Sequence, residues 1–157
     1  MNRSKLKKAF PVLLFCIYIG FVLWITVINR KTGIRRSMLT PFWEFANVLK
    51  NTQRWYYVQQ IIGNILLLFP FGFLISFLPK FHDITWKKVL LHAFCVSLLI
   101  EITQYLTCRG MLEFDDLFNN TLGGLLGYKV YELLYKTPKE PDEPDEPDEP
   151  NEPDEPE

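Results

Sequence analysis

The chain has 157 residues, with 17 lysines and arginines against 18 aspartates and glutamates and a net charge of −1, but that neutrality averages two unlike parts. Residues 138–157 place a proline at every third position and hold one lysine against 11 acids, a charge of −10, which leaves +9 on residues 1–137. In that body the cations flank long apolar runs instead of lining one face, which points to a bilayer and excludes nucleic acid as the partner.

Four apolar segments approach the roughly 20 residues that a helix needs to cross a hydrocarbon core of about 30 Å. The first, residues 10–28, follows a basic prefix (Arg3, Lys5, Lys7, Lys8). It is too long for a signal-peptide apolar region and has no small-residue cleavage pattern after it, so it reads as an uncleaved signal anchor. Residues 58–78, 89–106 and 117–135 follow. The last two carry polar residues and are expected to face each other.

Between the first two spans, Thr40-Pro41 offers a hydroxyl N-cap with proline at the first helical position. Phe42, Phe45, Ala46 and Leu49 then recur at helical spacing, which predicts a short helix lying in the membrane interface near Trp43 and the Trp55-Tyr56-Tyr57 cluster. The alternative is a loop with interfacial aromatics. The fold class expected is an all-α integral membrane protein with about four transmembrane helices and this interfacial helix.

In the second span Asn64 precedes Pro70, whose missing N–H leaves the Leu66 carbonyl free, and a polar pocket among the last three spans is expected to satisfy it. In the third, Glu101 and Gln104 lie three apart and share a face. Arg109, Glu113, Asp115 and Asp116 follow, then Asn119 and Asn120 at the start of the fourth span. Ionisable groups at membrane depth are costly, so this cluster is the candidate site. Glu101 is expected to hydrogen-bond Asn120 or pair with Arg109, and Asp115 and Asp116 to sit at the positive end of the fourth helix dipole. Gly123 and Gly127 form a G-x-x-x-G that admits close approach of another helix, with the third span as the expected partner.

For the acids two readings stand. Glu113, Asp115 and Asp116 with the Asn119 and Asn120 amides supply hard oxygens for Mg²⁺ or Ca²⁺, or they cap the helix and pair with Arg109. No Ser-His-Asp, Cys-His or H-E-x-x-H pattern is present, so an enzymatic reading rests on Glu101 and Asp116 as acid/base groups, with Asn64, Gln104, Arg109, Glu113, Asp115 and Asn120 as binding residues. Cys16, Cys95 and Cys108 have no metal or disulfide spacing and read as apolar fillers. His82 and His92 stand alone and read as structural or interfacial. No cofactor is implied.

The strings LTPF (39–42), NILLLFPFG (64–72), SLLIEITQ (97–104) and RGMLEFDDLFNNTLGGLLGY (109–128) resemble the VanZ-like family of small bacterial membrane proteins. The resemblance spans most of residues 39–135. It implies an all-helical protein of the bacterial cell membrane whose founding relative lowers susceptibility to the glycopeptide teicoplanin, by a mechanism the resemblance does not supply. It places the family's polar signature on Asn64, Glu101, Gln104, Arg109, Glu113, Asp115, Asp116 and Asn120. The alternatives are a membrane-embedded enzyme acting on a lipid-linked envelope substrate and a non-catalytic helper that packs on another membrane protein through Gly123 and Gly127. Expected partners are membrane lipid with either such a precursor or such a protein.

Some relatives continue into a further apolar span, whereas here the Pro-Asp-Glu tail follows. Its composition gives it no means of burying apolar surface, so residues 138–157 are expected to be a disordered tail after a transmembrane domain of residues 1–137. Counting lysines and arginines, nine on one side against seven on the other favour cytoplasmic N- and C-termini by a narrow margin.

Overall fold

The computed structural model describes residues 3–50 and 52–136; the expected tail, residues 138–157, lies outside them. Five helices make up most of the chain: α1 (Arg3–Leu23), α2 (Trp43–Lys50), α3 (Arg54–Ile75), α4 (Trp86–Leu106) and α5 (Phe114–Tyr135). Among the described residues three segments are long and apolar enough to cross a membrane: Ala9–Ile28, Arg54–Ile75 and Trp86–Leu106. These are the first three spans expected from hydropathy, with α3 and α4 each starting a few residues early. Helix α5 has the 22 residues of α3 but is too polar to meet the same measure.

The α5 helix lies against both α3 and α4, and its most extensive contact is with α3. Leu68, Phe71, Ile75, Val89, Ala93, Ile100 and Tyr128 form the core where the three helices meet. Glycine decides how close they come. A Cβ on Gly123 would stand 2.0 Å from the Ile65 carbonyl oxygen, and one on Gly127 1.9 Å from that of Phe69, so this G-x-x-x-G is filled by α3 and not by the third span or another protein. Gly124, one residue round the helix, meets the Ala93 side chain of α4 instead. The expected pairing of the last two spans is therefore present, but it runs through Gly124.

Helix α1 packs on this bundle through Phe15, Tyr18 and Ile19, while Phe10, Leu13, Ile17 and Phe21 are exposed, as a lipid-facing stripe would be. The Tyr18 hydroxyl donates to the Leu67 carbonyl at 2.6 Å, in the turn that Pro70 opens. Leu66, whose carbonyl Pro70 leaves without its intrahelical donor, is itself 60% exposed.

Beyond Leu23 the first helix widens into a π-helix, Trp24–Ile28, in which the Thr26 hydroxyl donates back to the Val22 carbonyl and the Asn29 N–H to that of Trp24. One departure from the expected all-α class and one shifted helix start follow. Strands β1 (Arg36–Met38) and β2 (Met111–Glu113) form a parallel pair in the register Arg36↔Met111, Ser37↔Leu112, Met38↔Glu113, which pairs backbone groups of two loops that have no helix to satisfy them. Helix α2 begins at Trp43, not at Thr40-Pro41, because Phe42 has φ of 57° and breaks any helix running from Pro41. Phe45 and Leu49 of the apolar face expected on α2 are exposed, as residues turned toward lipid would be, whereas Glu44 is buried.

Candidate functional site

Glu101 near the C-terminus of α4, Asp115 and Asp116 in the first turn of α5, Glu113 of β2 and Glu44 of α2 meet at one end of the bundle. Four of them, Glu44, Glu101, Asp115 and Asp116, are buried, and none of the five forms an ion pair among the described residues. Such burial is tolerated only with hydrogen bonds and a counter-charge or a proton.

Each of the four buried carboxylates has a separate partner. Asp115 accepts from the Phe42 N–H at 2.6 Å and the Glu44 N–H at 2.8 Å, so it caps α2, more than seventy positions back in the chain, and not its own helix. Glu101 accepts from the Glu113 N–H at 3.0 Å. Asp116 accepts from Asn64 Nδ2, and Glu44 accepts from Asn119 Nδ2 at 3.2 Å. The expected Glu101 bonds to Asn120 and Arg109 are absent, because Asn120 donates to Ser97 Oγ at 3.1 Å and stitches α5 to α4 instead.

Arg109 turns away from the acids. Its Nη1 donates to the carbonyls of Val27 and Ile28 at 3.0 and 2.9 Å, while Gln104 Nε2 donates to the Thr26 carbonyl at 3.0 Å. These two side chains thus bind the carbonyls at the end of the first span, where a cation also complements the helix dipole. A Schellman closure of α4 aims Arg109 there. The Arg109 N–H bonds the Gln104 carbonyl and the Cys108 N–H that of Tyr105, with Cys108 at φ 55° in the left-handed position usually held by glycine. Two residues later a Cβ on Gly110 would lie 2.9 Å from Gln104 Oε1 and 3.0 Å from Arg30 Nη1, so a side chain there would displace the ends of those two flexible side chains.

What remains is a tighter group. Carboxylate oxygens of Glu44, Glu113 and Asp116 lie within 4.8 Å of one another. Burial, reinforced by the charge of Asp116, raises the Glu44 carboxyl to about 8 and that of Glu113 to about 7. Outside the carboxylates opens a cavity of about 550 Å³ walled by Arg30, Lys31, Arg36, Arg109, Tyr56 and Glu113.

The site assembled by the fold therefore contains Glu101, Asp116, Glu113, Asn64 and Asn119 of the expected residues, with Asp115 positioning Glu44. Gln104, Arg109 and Asn120 hold helices together beside it. Sequence reasoning missed Glu44 and Arg30. The signal for Glu44 was available: it is the first acid in the chain, alone among Phe42, Trp43 and Phe45.

A family model described as VanZ/LLP1 matches residues 15–135. Protein VanZ of Enterococcus faecium is 29% identical over 131 residues, covering 78% of this chain and 74% of that relative. No solved structure matches. The family match takes in α3, α4, α5 and the loops that bring the five acids together, and on that extent the chain belongs to the VanZ/LLP1 family.

Proposed function

We propose that this protein crosses the bacterial cytoplasmic membrane four times with both termini inside, and lowers susceptibility to teicoplanin-type glycopeptides through the carboxylate site at the outer end of its bundle. The fourth crossing is α5, whose polar face is covered by α3 and α4, so its low apolarity does not bar it from the membrane. That the ends of α1 and α4 and the starts of α3 and α5 lie together supports a site on one side of the membrane, opposite the N-terminus. The narrow excess of cations on the side of the N-terminus favours that side as cytoplasmic and the side of the site as outer. Family membership supports the glycopeptide association, and the observation that carries the reading is the set of buried acids without an ion pair among the described residues. Neutral amides at these positions would pack at lower cost.

Expression in a susceptible bacterium tests it, with teicoplanin inhibitory concentration and membrane abundance measured together for Glu101→Gln and Glu101→Ala. Protection lost in the Gln variant at normal abundance is the expected result. Full protection by Glu101→Gln would reduce the acids to structural hydrogen-bonding groups.

A further inference from the structure

The acids alone do not define a ligand, but Asn119 adds an independent observation. It is fully buried and reaches into the group through Nδ2, which donates to Glu44, while its Oδ1 has no partner among the described residues. Leaving a buried amide oxygen unbonded is unfavourable, so an acceptor at this position calls for a donor or a cation. Oxygens on opposite sides of a bound Mg²⁺ or Ca²⁺ lie about 4–5 Å apart, twice the usual metal–oxygen distance. The 4.8 Å grouping of Glu44, Glu113 and Asp116 meets that requirement.

The cavity supplies the second half of the argument. Glu113 belongs both to the carboxylate group and to the cavity wall, where Arg30, Lys31 and Arg36 accompany this single acid while Arg109, also in the wall, is bonded to the Val27 and Ile28 carbonyls. A hard cation at the floor of a basic pocket is the arrangement that takes a phosphate, because Mg²⁺ is commonly shared between one or two carboxylates and phosphate oxygens while Arg and Lys bind the remaining ones.

We propose that Glu44, Glu113 and Asp116, with the Asn119 amide oxygen, hold a divalent cation, and that the pocket of Arg30 and Arg36 presents a phosphate-bearing anion to it. The inference rests on the reading that the carboxylates are the working site, and it names the ligand class. Binding is measured on purified protein, so its failure is scored separately from a failure of the glycopeptide phenotype.

Mn²⁺ alone is titrated into the full chain in detergent, with free Mn²⁺ read by electron paramagnetic resonance. One saturable ion per chain is expected, with affinity at least tenfold weaker in Glu44→Gln, Glu113→Gln and Asp116→Asn, and unchanged in Asp83→Asn, which sits in an exposed loop. Circular dichroism and elution volume show which variants are folded, and the half-buried Glu113 carries the test if the others are not. Affinity unchanged in every folded carboxylate variant overturns the proposal. Radiolabelled orthophosphate retention by equilibrium dialysis is then measured with and without Mg²⁺. Mg²⁺-dependent retention, reduced at least tenfold in Arg30→Gln/Arg36→Gln, supports the anion site. Competition by a polyprenyl monophosphate in the micelle identifies a lipid headgroup as the source, and its absence a free phosphate. Retention of neither anion while Mn²⁺ binds overturns the assignment of the pocket.

Discussion

Replacing Asp115 by alanine tests whether this acid acts on its own helix or on a distant one. In the structure its two oxygens accept from the N–H groups of Phe42 and Glu44, at 2.6 and 2.8 Å. Helix α2 has eight residues, too short to persist without anchorage. Alanine leaves the buried Glu44 donor unbonded at about 1–3 kcal/mol and the part-buried Phe42 donor at a smaller cost, whereas asparagine keeps one acceptor and loses about half of the total. Had Asp115 acted only on the dipole of α5, either substitution would remove about 0.3–1 kcal/mol and the two would be alike. An opposing effect has to be weighed, since the charge of Asp115 helps to raise the Glu44 carboxyl and its removal relieves repulsion. That relief is the same for both variants, so the order survives: wild type above Asn, and Asn above Ala. Thermal unfolding in detergent, followed by near-ultraviolet circular dichroism, reads the order, and hydrogen exchange locates the loss in the α2 amides. Alanine within about 0.5 kcal/mol of wild type, the scatter of ordinary surface substitutions, would refute the long-range cap.

The glycines give a graded test. Gly123→Ala and Gly127→Ala force carbonyls of α3 away from 2.0 and 1.9 Å and should cost about 1–3 kcal/mol, lowering melting temperature and membrane abundance. Gly63→Ala, with nothing within 4 Å, should be neutral or stabilising by about 0.5–1 kcal/mol. Cysteine labelling after replacement of Cys16, Cys95 and Cys108 should reach a site near Met111 from outside the cell and miss one in residues 138–157; a tail labelled only from outside would reverse the orientation. Arg109→Met should leave the Val27 and Ile28 carbonyls unsatisfied and speed proteolysis of the segment after Ile28, with little change in the α3–α5 packing. Truncation after Thr137 is expected to leave membrane abundance unchanged, and loss of the truncated protein would assign the tail a folding role.

Hydropathy summed over some twenty residues needs no knowledge of neighbours, and for that reason the sequence by itself located α1, α3 and α4 as apolar spans and put Asp115 and Asp116 at the start of α5. It also marked the stretch from Glu101 to Asn120 as the place where polar groups gather. Partner choice was a different matter, because it depends on the rotation of each helix about its axis and on the route of the loops. One residue of rotation, about 100°, separates Gly123 facing α3 from Gly124 facing α4, and no spacing within α5 says which neighbour stands where. Glu44 drew no role from the pattern of the interfacial helix, because the left-handed turn at Phe42 and the Asp115 cap are what bring it to Asn119 of α5. Arg109 had acids within a few residues in sequence, yet the carbonyls at the end of the first span lay closer in space. Only the tertiary structure could separate the side chains that join helices from those that share a cavity, since in an apolar bundle every polar group seeks a partner and geometry alone decides which one it reaches.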